Sequence, residues 1–214
     1  MRRLQYRWLE RFETVPFTAG DLKTELADYG AINMKLSRLV GEGVLVRLRK
    51  GFYCVSAEYS SKLIEPGVIA NALYGPSYVS FETALAHYGL IPERVYVNLS
   101  AVLKHGEKYK TPLGEFHYCQ MPENVFGIGV QSERTKNGTF LMANPTKALC
   151  DTLWRKSKLR VTSPKTLRNF LEEDLRFDFD YLENPDFEVL HTYATCGRKE
   201  GLFKALERMF NDNI

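Results

Sequence analysis

Cysteine is scarce and nowhere clustered. Cys54, Cys119, Cys150 and Cys196 are scattered over 214 positions without a CxxC pair, which speaks against a zinc ribbon. No secretory signal precedes them, so they are expected as reduced thiols of a cytoplasmic protein rather than as two disulfides. Long apolar runs are missing too. The longest are a handful of residues, far below the ~20 that span a bilayer. The start, MRRLQYRWLERFE, is charged and amphipathic and has no apolar core of a signal peptide. Catalytic signatures are also missing: there is no Walker loop, GxGxxG, HExxH or GxSxG. The nearest approach to an enzyme is the acid-rich stretch 172–188 beside a Lys/Arg-rich one, which in outline suggests a metal-dependent nuclease. Such a site needs carboxylates converging on a metal from rigid strands, whereas these acids fall on predicted helices and a loop. No enzyme activity, cofactor or metal site is therefore expected. His87 is read as structural, having no partner spaced to orient it, and Asp151, in a helix after a strand, as a cap or salt-bridge partner.

What is present is enough apolar surface for a packed core. Hydrophobic residues make up 44% and aromatics 13%, and the length fits one large domain or two small ones. Net charge is only +3, but it is unevenly placed. Residues 1–56 hold 10 Lys and Arg against 6 Asp and Glu, whereas residues 57–214 hold 19 against 20. Within 31–56 the bases Lys35, Arg38, Arg47, Arg49 and Lys50 face one acid, Glu42. Such a segment suits a polyanion.

In chain order, Leu4, Trp8, Leu9 and Phe12 recur at helical spacing and predict a helix from about Arg2 to Glu13. Arg3, Arg7 and Arg11 form a second row, either a solvated face or phosphate contacts. Thr18 with Asp21 reads as a capping box, and Phe17 with Leu22 as a hydrophobic staple, opening a second helix over about 19–28. A third helix covers about Ala31 to Glu42. Ile32, Leu36, Leu39 and Val40 share its buried face; Met34, Ser37 and Arg38 lie opposite, flanked by Asn33 and Lys35. Those polar side chains are of the kinds that read base edges or hold phosphates. Val44, Val46 and Leu48 then alternate with Leu45, Arg47 and Arg49, a half-buried strand, and Arg49-Lys50-Gly51 turns it back into Phe52–Val55. Three helices followed by a basic hairpin make a winged helix-turn-helix. The candidate DNA-binding residues are Asn33, Met34, Lys35, Ser37, Arg38, Arg47, Arg49 and Lys50.

Residues 56–66 read as a polar linker, dividing the chain into 1–57 and 58–214. The second unit predicts helices at 66–74 and 81–88, strands at 95–103 and 114–121, and a hairpin of 126–133 and 139–143 around Asn137-Gly138. The intervening HGEKYKTPLG reads as a loop or hairpin tip. Asn144-Pro145 opens a helix to about Trp154. The C-terminal helices are polarised: 155–168 carries six bases and no acid, while 172–188 carries eight acids and one Arg. Solvated faces or partner-binding surfaces would both explain this. The fold class is α+β, a winged helix-turn-helix followed by an α+β domain with a mainly antiparallel sheet and C-terminal helices.

SRLVGEGVLVRLRKGFYCV resembles the N-terminal winged helix of the AbiEi-type antitoxins of bacterial abortive-infection operons. LYGPSYVSFETALAHYGLIPE (73–93) resembles the opening of that family's second domain, and NPTKALCDTL (144–153) is similar to its later helix-opening motif. The resemblance implies a repressor of its own operon, bound to inverted repeats in promoter DNA, that also counteracts a nucleotidyltransferase-like toxin. The alternative is a stand-alone regulator whose second domain senses a ligand or oligomerises.

Overall fold

The computed structural model describes residues 2–22, 32–159, 161 and 163–212. The architecture is α+β, with a small N-terminal head and a larger body that share one hairpin.

In the head, residues Arg2–Phe12 form a 3-10 helix rather than an α-helix, broken at Tyr6 (φ −127°, ψ 43°). Tertiary contacts override local preference there. The Tyr6 hydroxyl donates to Glu42 at 3.1 Å and its ring meets Tyr59 edge-on at 6.2 Å. Phe17–Thr18 (β1) pairs antiparallel with the hairpin, a strand too short to show in the sequence pattern. Half of the Thr18–Asp21 box is present: the backbone N–H and hydroxyl of Thr18 both donate to the Asp21 carboxylate, at 2.7 and 2.8 Å, but the Asp21 N–H donates to the Thr18 carbonyl (3.2 Å) and not to its hydroxyl, and residues 19–22 form a turn. Beyond Leu22, the expected second helix lies outside the described residues.

Helix α1 spans Ile32–Gly41 and buries Leu36 and Leu39. It ends in a Schellman turn: Val44 N–H donates to the Leu39 carbonyl (2.9 Å), Gly43 N–H to that of Val40 (3.1 Å), and Gly43 takes φ +71°. Leu45–Arg49 (β2) and Phe52–Val55 (β3) follow, completing a sheet of order β1-β3-β2.

The hairpin departs from a half-buried ribbon. Arg47 pairs with Tyr53 and Arg49 with Phe52, so Leu48 is an extra residue, a β-bulge. Leu45, Tyr53 and Val55 pack into the head core. Leu48 and Cys54 belong to the body core, with Val46 and Phe52 packed against it. Both faces of the hairpin are therefore covered, and burial pushes the Cys54 thiol up to about 12. The stretch after it is polar but tied down: Ser61 donates to Glu13 through N–H (2.9 Å) and hydroxyl (2.5 Å).

The body is a six-stranded sheet of order β6-β7-β5-β4-β9-β8: Ser77–Val79 (β4), Val97–Val102 (β5), Glu107–Thr111 (β6), Gly114–Gln120 (β7), Val130–Thr135 (β8) and Gly138–Ala143 (β9). It is mixed, with antiparallel pairings in the majority as expected. β5 runs parallel to β7 and β4 to β9, while the other three pairings are antiparallel. β6, in hairpin with β7, occupies the stretch expected as a loop or hairpin tip, and β4 lies between the two expected helices, where no element was assigned. Helix α2 (Pro66–Leu73) covers one face, with Tyr118 donating its hydroxyl to the Ala70 carbonyl at 2.6 Å. Cys119, the next residue, points to the opposite face and meets Arg155. That face carries α3 (Phe81–His87) and α5 (Pro145–Arg155); the one-turn helix α4 (Glu123–Phe126) sits beyond β7. Helices α6 (Pro164–Glu173), α7 (Phe187–Ala194) and α8 (Glu200–Asn211) close the C-terminal end. Among the described residues no helix is long and apolar enough to cross a membrane.

Candidate nucleic-acid interface

Asn33, Met34, Ser37 and Arg38 all lie exposed on the face of α1 away from Leu36 and Leu39, and Lys35 is half-buried at its margin. Met34 is 73% exposed, unusual for so apolar a side chain and suited to a thymine methyl or a base edge. Arg38 is steered rather than loose: it forms an ion pair with Glu42 one turn on, at 3.4 Å. Glu42 also accepts from Tyr6, so one carboxylate links the first helix to the outer face of α1. Burial, and then that bond to Glu42, raises the Tyr6 phenol.

The hairpin residues separate. Arg47 and Lys50 are exposed, Arg47 opposite Tyr53 on the head side. Arg49 turns the other way. Its guanidinium sits 5.1 Å from the Phe52 ring, on the side that meets the body, and its charge bears on the phenols of Tyr109 and Tyr118. The eight expected DNA-contacting residues thus form one α1 face plus a hairpin whose bases split between head and body sides.

Both residues read as structural have partners, and Asp151 has the salt bridge expected of it. His87 lies 3.4 Å from Glu133 and edge-on to Tyr88. Asp151 is fully buried and accepts from the Ser80 hydroxyl (2.6 Å), the Tyr78 hydroxyl (3.1 Å) and the Tyr193 hydroxyl. It pairs with Lys147, which donates to the Val125 carbonyl at 2.6 Å and to Tyr193 at 3.1 Å. Burial pushes the Lys147 ammonium below its ordinary range, against the pull of Asp151. The visible signal was the Lys–Asp spacing of four on a capped helix. A cluster this enclosed serves the core.

The charge-split C-terminal segment partly pairs with itself and with the rest of the body. Arg168 meets Glu172 at 2.8 Å and Arg176 meets Glu93 at 3.3 Å along one cleft of about 600 Å³. All four cysteines are free.

No family model matches the chain, and no curated protein matches it at a significant level.

Proposed function

We propose that the chain is a DNA-binding transcriptional repressor whose N-terminal segment, 1–57, acts as a winged helix-turn-helix. The observation that carries this is α1 itself. It presents Asn33, Met34, Ser37 and Arg38 on one exposed face, ends in a Schellman turn, and runs directly into a three-stranded sheet with a basic hairpin. A helix so mounted fits the major groove, with the hairpin tip beside the neighbouring phosphates.

The same proposal includes an antitoxin role for 58–214, counteracting a nucleotidyltransferase-like toxin in the cytoplasm. It draws on the likeness of the head, of 73–93 and of 144–153 to AbiEi-type antitoxins.

The DNA arm is tested with full-length protein on its own upstream region against random duplex. Arg38→Ala should lose ~1–3 kcal/mol on the specific site and little on random DNA if Arg38 reads a base. A wild-type chain that binds both duplexes equally refutes the operator reading. The antitoxin arm is tested by co-expression with the adjacent nucleotidyltransferase-like gene product. A full-length Arg38→Ala/Arg47→Ala chain should still rescue growth when driven from a foreign promoter; loss of rescue assigns protection to repression instead.

A further inference from the structure

We propose that the body contributes its own DNA-backbone contact: a basic, aromatic patch of Lys104 and His105 beside Tyr74 and Tyr109, continuous with Arg49 of the hairpin, that holds phosphates flanking the segment read by α1. This rests on the DNA-binding reading above and extends it beyond the head.

Three observations carry it. First, the hairpin is docked. Leu48 and Cys54 are part of the body core, so β2 lies against β6 and brings the exposed Arg49 close enough for its charge to act on the Tyr109 phenol. Second, an array of rings lines the body where β6 meets the hairpin. Tyr118 lies 5.8 Å from Tyr109 and 5.3 Å from Tyr74, Tyr74 lies 6.0 Å from Tyr109, and His105 stands edge-on to Tyr74 at 6.1 Å. Lys104 extends over the Tyr74 ring at 5.7 Å and donates one proton to the Gly75 carbonyl at 3.1 Å, leaving two N–H groups for an anion. The Tyr74 hydroxyl fixes the turn by donating to the His105 carbonyl at 3.2 Å. Third, the charges favour an anion. Arg49 acts on Tyr109 and Lys104 lies over Tyr74, two cations against the Glu107 carboxylate, which stands 3.9 Å from the His105 ring. Rings interleaved with cations suit a nucleic-acid backbone.

The sheet supplies an internal control. Side chains alternate along β6, so Tyr109 faces the hairpin while Lys108 and Lys110 point to the other face. There Lys110 meets Glu115 at 3.6 Å, and His117 shares that carboxylate at 3.5 Å. A phosphate held on the hairpin side requires Lys104 and Arg49 and not Lys110.

The test measures affinity of the full chain for promoter duplex between 50 and 200 mM salt, by fluorescence anisotropy. Removing one cation that holds a phosphate lowers the slope of log K against log salt by about one. Lys104→Ala and Arg49→Ala should each show that drop, with equal loss on promoter and random duplex, while Lys110→Ala keeps the wild-type slope. Lys104→Arg should restore the slope, which a mere bond to Gly75 would not require. Unchanged slopes in both Lys104→Ala and Arg49→Ala overturn the patch, as does an equal drop in Lys110→Ala. A wild-type chain without salt-dependent promoter binding overturns the DNA reading itself.

Discussion

Lys147 and Asp151 stand one helical turn apart on α5, 3.6 Å from ammonium to carboxylate, and neither reaches solvent. Such a pair is weak support for stability when intact but costly to break, because the survivor is a buried lone charge. Asp151→Asn or Lys147→Met should each cost about 3–5 kcal/mol. The double variant should cost clearly less than the two combined, since the second change removes the stranded charge. Urea unfolding of the three variants measures this. Full additivity would show that the two charges do not act as a pair.

The shared hairpin predicts cooperative unfolding. Leu45, Tyr53 and Val55 anchor the head core while Leu48 and Cys54 anchor that of the body, so neither core survives loss of β2 and β3. The two tryptophans report separately: Trp8 packs in the head and Trp154 in the body. Single-tryptophan chains, Trp8→Phe and Trp154→Phe, should show the same cooperative loss of fluorescence and of circular dichroism within each variant. A head signal that melts well before the body's would mean the bulged strand does not couple them. Leu48→Ala should cost about 2–5 kcal/mol and lower both signals together.

Local rules made most of the elements legible in the sequence. Asn144 caps α5 by accepting from Lys147 N–H at 2.8 Å, as local chemistry predicts; the β8–β9 hairpin also forms, but its two turn residues are Lys136 and Asn137, with Gly138 already paired to Thr135. The misses share a physical cause: long-range packing outweighing local pattern. Tyr6 leaves the helix for partners 36 and 53 positions away, Glu42 and Tyr59. Leu48 keeps to the body side with Val46, and Arg49, paired with Phe52 past the bulge, is the residue that leaves the alternation. Glu107–Thr111 looks polar because an edge strand needs only one covered face. At the interface, the α1 face was visible from helical periodicity. The divergence of Arg47 from Arg49 was not, since one inserted residue in a strand reverses which side the following side chains take.

Glu42 offers a way to tighten DNA binding. Its carboxylate lies 3.4 Å from Arg38 on the surface proposed to meet DNA, where it repels phosphates and holds a reading side chain. An exposed pair of this kind is worth roughly 0.2–1 kcal/mol, so Glu42→Gln should raise affinity by up to about fivefold on promoter and random duplex alike. Titration of both duplexes at one salt concentration decides the outcome. Weaker binding confined to the promoter would assign Glu42 the task of orienting Arg38.

Lys199 closes the C-terminal end of α5. Its ammonium donates to the carbonyls of Leu153, Trp154 and Lys156, each at 2.8 Å, taking up acceptors that a helix end otherwise leaves to water. The backbone adopts φ 55° at Lys199, the left-handed region, which costs a side-chain-bearing residue roughly 1–2 kcal/mol. Two substitutions separate the terms. Lys199→Met removes the bonds and keeps the backbone cost, and should destabilise the chain by about 1–3 kcal/mol. Lys199→Gly removes the same bonds but relieves the backbone, and should unfold at higher urea than Lys199→Met. Equal midpoints for the two would show that the left-handed turn carries no cost here. A Lys199→Met chain as stable as the wild type would show that water satisfies those three carbonyls as well as the ammonium does.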